Sequence, residues 1–131
     1  MFRTEVKINF FDCDPAGIMF YGNIFKVAHQ AYEELLQKGN LERDYFKDIE
    51  YALPLVHSEA DFIKPIFPGK NLTVELRVTI LKESSFELSY EVLDNGGDLC
   101  ARVKTVHVLV LKRDWQKSAL PEDLKNCLKR V

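Results

Sequence analysis

The sequence predicts an α+β fold in which one long helix packs on one face of an antiparallel sheet. Three observations predict it. Residues 24–38 carry one apolar stripe at helical spacing. Residues 72–82 and 86–93 alternate apolar and polar side chains with a period of two. Asn95-Gly96-Gly97 is a strong hairpin signal between two such runs. One strand, one helix and then consecutive strands is the order of a helix layer on a sheet layer. The 131 residues read as a single domain, 1–131, large enough to bury a core.

Each element has its own justification. Residues 2–11 place Val6, Ile8 and Phe10 on one parity and read as a first strand. The turn cluster D-C-D-P-A-G follows, with Pro15 and Gly17 as its breakers. The helix stripe is Ile24, Phe25, Ala28, Ala31, Tyr32, Leu35 and Leu36, with Asn23 as the expected N-cap and Gly39 as the expected C′ residue. Residues 42–49 are expected to form a short second helix. Residues 54–64 open a strand with L-P-L-V. Leu72, Val74, Leu76, Val78 and Ile80 share one face of the next, and Phe86, Leu88, Tyr90 and Val92 share one face of the following. Residues 99–111 end in V-H-V-L-V-L, apolar on both parities and therefore buried on both faces there. Pro121 opens a short terminal helix.

Composition excludes several classes. Hydrophobic residues make up 47% and charged residues 29%, which is a globular balance. Residues 1–60 hold 6 basic and 10 acidic side chains and residues 61–131 hold 12 and 10, so no clustered basic face suggests nucleic acid. No stretch has the length of a membrane span, and the N-terminus has no apolar signal core. Cys13, Cys100 and Cys127 are odd in number and scattered, which argues against a disulfide framework and for a reducing cytoplasm. Without CxxC or HxxxH spacing, no metal site is expected.

The segment that can carry chemistry is F-F-D-C-D-P-A-G-I-M-F-Y-G-N-I-F, residues 10–25. It joins a strand to the start of the long helix. Backbone N–H groups at a helix start lack intrahelical acceptors and sit in positive potential, so they can polarise a carbonyl oxygen. A nearby Asp could attack that carbonyl or activate water. Asp before Pro in a turn is equally explained by Asx bonding to the local backbone, so spacing alone leaves the role of Asp14 open. Cys13 between the two aspartates reads as a small buried residue, Asp12 as the residue that holds the turn, and His57 and His107 as strand packing residues.

The run D-C-D-P-A-G-I-x-x-Y, Asp12 to Tyr21, resembles the signature of the 4-hydroxybenzoyl-CoA thioesterase class of hotdog proteins. The similarity continues through the helix I-F-K-V-A-H-Q-A-Y-E-E, the strand L-P-L-V-H-S-E-A-D-F and the hairpin L-K-E-S-S-F-E-L-S-Y-E-V, covering residues 4–112. The resemblance implies a hotdog domain, a curved antiparallel sheet wrapped around one long helix. It implies homodimers or homotetramers with the active site at the dimer interface. It aligns the family's catalytic Asp with Asp14, as nucleophile or general base, and the family's carbonyl-polarising backbone N–H with Tyr21. Some relatives carry His at that position, so only the amide role transfers to Tyr21. Gly17, Phe20, Phe25 and His29 are the expected acyl contacts. In the hairpin, Lys82 is retained where a relative binds CoA phosphates, whereas Ser84 and Ser85 replace positions that can be basic.

The activity so implied is hydrolysis of an aryl- or short to medium acyl-CoA. Coenzyme A is part of the substrate and no further cofactor is expected, and acyl carrier protein is an alternative thioester donor. Another branch of hotdog thioesterases uses a helix carboxylate, which makes Glu33 the alternative to Asp14. Hotdog hydratases and dehydratases use a His with an acidic partner, and this motif has no His beside Asp14. A non-catalytic acyl-thioester-binding module is the remaining alternative.

Overall fold

The computed structural model describes residues 1–131. Its elements in chain order are β1 (Phe2–Lys7), α1 (Asn23–Gln37), β2 (Tyr51–Ala52), β3 (Leu55–Phe62), β4 (Asn71–Leu81), β5 (Ser85–Leu93), β6 (Leu99–Val108), β7 (Val110–Leu111) and α2 (Glu122–Lys129). A single 3-10 turn, Phe10–Asp12, separates β1 from the loop before α1. Five strands form one antiparallel sheet in the order β1-β4-β5-β6-β3, and β2 pairs with β7 beside it. The α+β arrangement is the one the periodicities predict.

The helix packs on β1, β4 and β6 through the face formed by Ile24, Val27, Ala28, Ala31, Tyr32, Leu35 and Leu36. Opposite lie Leu72, Val74 and Leu76 of β4, Phe86, Leu88, Tyr90 and Val92 of β5, and Ala101, Val103, Thr105 and His107 of β6, all buried. Full burial of one such aliphatic side chain contributes about 1.5–3 kcal/mol, so this interface dominates stability. Leu124, Cys127 and Leu128 of α2 close the C-terminal end of α1.

Several expectations are corrected. Phe10 does not continue β1; the 3-10 turn leaves Phe10 and Phe11 exposed. Val27, not Phe25, completes the buried stripe, and Phe25 lies at its margin. Residues 42–49 form turns instead of a helix. Asp44 accepts the Phe46 N–H at 3.0 Å, and Asp48 accepts those of Glu50 and Tyr51 at 3.0 and 2.8 Å, so side-chain bonding outcompetes helical bonding. In β4 the register shifts between Val78 and Ile80, so beyond Thr79 the parity reverses: Leu81 pairs with buried Phe86 and Ile80 turns outward. The helix cap is Gly22, not Asn23, and the left-handed residue after the helix is Asn40 (φ 53°), not Gly39. Gly39 is required for another reason. A Cβ there would lie 2.6 Å from Cys127 Sγ.

Candidate active site

The chain enters the site through Asp12. Its Oδ2 accepts the Asn9 N–H at 2.9 Å, its Oδ1 lies 3.3 Å from Lys26 Nζ, and its carbonyl accepts both the Phe20 N–H and the Asn23 side-chain amide. Asn23 therefore ties the helix start to the 3-10 turn in place of capping it. Asp12 is buried and fully engaged, which fits its expected role of holding the turn.

A short antiparallel bridge between Cys13 and Met19 then presents a tight turn, residues 14–18. The Asp14 N–H donates to Ile18 O at 3.0 Å and the Gly17 N–H to Asp14 O at 2.9 Å. Gly17 has φ 82°, the left-handed region that glycine adopts without cost. The Asp14 Oδ1 accepts the Ala16 N–H at 2.9 Å, so the Asx bond that explains this Asp structurally is present. Its other carboxylate oxygen has no partner within the chain.

The start of α1 is unusual. Gly22 provides no side-chain cap, and the first turn holds no acidic residue. Met19 and Phe20 donate to Ile66 O and Asp12 O, and Asn23, Ile24 and Phe25 donate to carbonyls three residues back. The amides of Tyr21 and Gly22 between them donate to nothing in the chain. Two free N–H groups at an uncompensated helix N-terminus make a donor pair in positive potential. A Cβ at Gly22 would lie 2.9 Å from the Phe20 ring, which would have to turn aside. The sequence expectation named the Tyr21 amide alone, and the Gly22 amide beside it, visible in the motif before Asn23, was not named.

Around the turn lies an apolar cleft of about 280 Å³, lined by Ile18, Met19, Tyr21, Phe62, Ile63 and Ile66 among others. The Lys64 ammonium at its rim is held by Asp94 at 2.7 Å and Asp98 at 3.0 Å. Phe20 and Tyr21 have 45% and 69% of their surface exposed, with ring centroids 4.7 Å apart.

Phe25 and His29 follow on the same side of α1. They line a second cavity of about 150 Å³ together with Tyr32, Leu55, Ser58, Tyr90, Thr105 and His107. Glu33 lies 3.8 Å from His29 Nε2, and Glu34 is hydrogen-bonded to Thr4. His57 is exposed on β3 beside Glu59, 3.1 Å away, so the expected packing role does not hold within the chain. His107 is packed as expected, stacked between Tyr32 and Phe86, and burial pushes its pKa down to about 4. Cys13 is half-buried, not buried. Its thiol is pushed up by burial and by the charges of Asp12 and Asp14, which opposes thiolate formation.

Lys82, Ser84 and Ser85 lie at the β4–β5 turn, where the Ser84 and Glu83 carbonyls accept the Leu109 and Leu120 amides. The Asp14 loop lies near the other end of β4, where Met19 bonds to Ile66 and Ile8 bonds to Lys70. An 11-residue strand spans roughly 30 Å, so one chain does not bring the two groups together.

A family model described as the thioesterase-like superfamily matches residues 8–128. A 1,4-dihydroxy-2-naphthoyl-CoA hydrolase from Gloeothece citriformis is 35% identical over 123 residues, covering 92% of this chain and 86% of that protein. One from Rippkaea orientalis is 32% identical over 121 residues, covering 90% and 88%. The crystal structure of a 1,4-dihydroxy-2-naphthoyl-CoA thioesterase from Synechocystis superposes with a TM-score of 0.92 at 29% identity, over 99% of this chain and 96% of that one. The chain belongs to the thioesterase-like superfamily and has its hotdog fold. It is a thioesterase.

Proposed function

We propose that the chain hydrolyses an aryl-CoA thioester, with 1,4-dihydroxy-2-naphthoyl-CoA the first candidate because its relatives from Gloeothece and Rippkaea carry that activity in their names. The observation that carries the mechanism is the free amide pair of Tyr21 and Gly22 following the Asp14 turn. The thioester oxygen accepts from these amides, and the negative charge that develops on it is stabilised by donors already in position. Asp14 then works in the manner of the 4-hydroxybenzoyl-CoA class. Either its carboxylate adds to the carbonyl carbon, or it takes the proton of a water that adds there. In both cases a C–O bond forms at the carbonyl carbon, the C–S bond breaks, and CoA leaves as thiolate to be protonated. In the first case the acyl group is left as a mixed anhydride on Asp14, and water then adds to it and splits it into the free acid and the Asp14 carboxylate. The free acid and CoA are the products, and no other cofactor is required.

The working unit is a homodimer or homotetramer in the cytoplasm. Support comes from β3, an edge strand that exposes Leu55, Val56 and Phe62, and from the separation of Lys82, Ser84 and Ser85 from Asp14 within one chain. A second copy would bring that turn to the Asp14 loop, where Lys82 and the serine hydroxyls would meet CoA phosphates. Acyl carrier protein is the alternative donor.

The test is release of free thiol from acetyl-, medium-chain, benzoyl-, hydroxybenzoyl- and dihydroxynaphthoyl-CoA by the wild type and Asp14→Ala. Asp14-dependent turnover greatest on aryl-CoA supports the proposal. Turnover retained by a folded Asp14→Ala protein, or none on any CoA ester, overturns it. Single turnover in ¹⁸O-water identifies a nucleophilic Asp14 if its carboxylate acquires the label, as it does when water splits the anhydride at the Asp14 carboxyl carbon.

A further inference from the structure

The amide pair of Tyr21 and Gly22 is joined to the Asp14 turn through one atom, the carbonyl oxygen of Asp12. It accepts the Phe20 N–H at 2.9 Å and the Asn23 side-chain amide at 2.8 Å. These two donors flank the pair on either side. The Asn23 N–H also bonds to Phe20 O at 2.9 Å, so residues 20–23 form a turn pinned at both ends. The acceptor is itself anchored. The buried Asp12 carboxylate takes the Asn9 N–H at 2.9 Å and lies 3.3 Å from Lys26 Nζ, and the Asp12 N–H bonds to Asn9 O at 3.0 Å. From Asp12 the chain passes through Cys13, bridged to Met19, to Asp14, whose N–H bonds to Ile18 O at 3.0 Å.

Of the two bonds to Asp12 O, only that of Asn23 comes from a side chain. Asn23 is the first residue of α1, one place past the cap, and its side chain donates where a cap side chain would accept. That difference selects Asn over Asp. A carboxylate has no proton to give to Asp12 O, and it would bring negative charge into a first turn that holds no acidic residue. Negative charge there stabilises a helix, but it opposes the charge developing on an oxygen held by the neighbouring amides. Helix stability and catalysis therefore ask for different residues at this position.

We propose that Asn23 is a positioning residue for thioester hydrolysis: its side-chain amide, bonded to Asp12 O, holds the Tyr21 and Gly22 N–H groups in fixed register with the Asp14 carboxylate. It rests on the mechanism proposed above and adds a residue to it. Asn23 acts through Asp12 O and the amide pair, not on the carbonyl. Without its bond, the Phe20 N–H alone ties the helix start to Asp12 O, and the donors and the carboxylate lose their common anchor. A misplacement of about 1 Å between such groups costs up to roughly 100-fold in rate.

The experiment measures kcat, KM and Tm for Asn23→Ala, Asn23→Asp and Asn23→Gln on the best CoA ester of the panel. Asn23→Ala and Asn23→Asp should each lower kcat about 10- to 100-fold and leave KM within about 2-fold of wild type. Asn23→Asp should lose less Tm than Asn23→Ala, because its charge suits the helix terminus, yet no less kcat. Asn23→Gln keeps the donor and should recover part of the kcat. Gly39→Ala, which strains the far end of α1, should lose Tm and keep kcat, so lost stability alone does not reproduce the pattern. Unchanged kcat in Asn23→Ala and Asn23→Asp, or kcat falling only in step with Tm across the four variants, overturns the proposal and leaves the Asp14 mechanism intact. If the wild type hydrolyses no CoA ester, that mechanism falls separately, and NMR of the backbone amides decides the clamp. Asn23→Ala should then shift the Tyr21 and Gly22 signals and lower the exchange protection of the Phe20 amide about 10-fold. Signals and protection that stay as in the wild type overturn it.

Discussion

The two ends of α1 are built on opposite principles. At the C-terminal end the last turn is closed within the chain. The Lys38 N–H bonds to Glu34 O and the Gly39 N–H to Leu36 O, Asn40 takes the left-handed conformation, and Cys127 of α2 is pressed against Gly39. At the N-terminal end there is no side-chain cap, no acidic residue in the first turn, two amides without acceptors, and exposed Phe20 and Tyr21. One end contributes stability. The other leaves two amides free, which is what the proposed site for developing negative charge requires.

The comparison is broken most decisively by a pair of variants. Asp14→Ala should lower kcat by roughly 10²- to 10⁴-fold. The Ala16 N–H contact is all that it loses in the fold, about 1 kcal/mol in chemical denaturation. Gly39→Ala should do the reverse: its Cβ overlaps Cys127 Sγ, so stability falls by about 1–3 kcal/mol while kcat is unchanged. Adding Cys127→Ala should recover most of that loss in a double-mutant cycle. Equal effects of both variants on kcat and on Tm would erase the distinction between the ends.

His107 lies midway, and its effect is set by pH. The folded pKa of about 4 is below the ordinary 6.5, chiefly through burial and secondly through His29. The unfolded chain therefore takes up this proton first. The contribution is complete above pH 6.5, declines as pH falls from 6.5 toward 4, and is constant below that. About 3 kcal/mol is at stake, and His107→Phe should remove that part of the acid slope in urea titrations between pH 7 and 4. The smallest effect is expected at Gly17→Ala. Its φ of 82° imposes a strain of about 1 kcal/mol, and its Cβ meets nothing in the chain within 4 Å. A loss of activity beyond that measured in Tm would show that substrate or a second subunit approaches this turn.

What could be read from the sequence was what a short window contains. The alternation Phe86, Leu88, Tyr90, Val92 identified β5 and its buried face, because period two survives without knowledge of neighbours. The reversal after Thr79 was not legible, since a bulge is a property of two paired strands. Residues 42–49 were misread because three carboxylate-to-amide bonds decide against the helix, and propensity does not count them. At the site, Asp14 and Tyr21 were visible in one continuous motif. The Tyr32, Tyr90, Thr105 and His107 cluster joins a helix and two strands, and its one local signal was Thr105 and His107 on the inward parity of Val103.

The strand order has a further consequence, for the history of each molecule. β4, β5 and β6 follow one another through tight turns, whereas β1 and β3 reach opposite edges only after long stretches of chain have closed. The entropy of those closures places the three-strand meander early in folding and both edges late. Stopped-flow kinetics should then find Leu88→Ala slowing refolding and Ala60→Gly mainly speeding unfolding. A growing chain acquires its apolar edge at β3 only once the remainder has consolidated, so the surface by which two copies would join comes into being last, when misassembly is least able to occur.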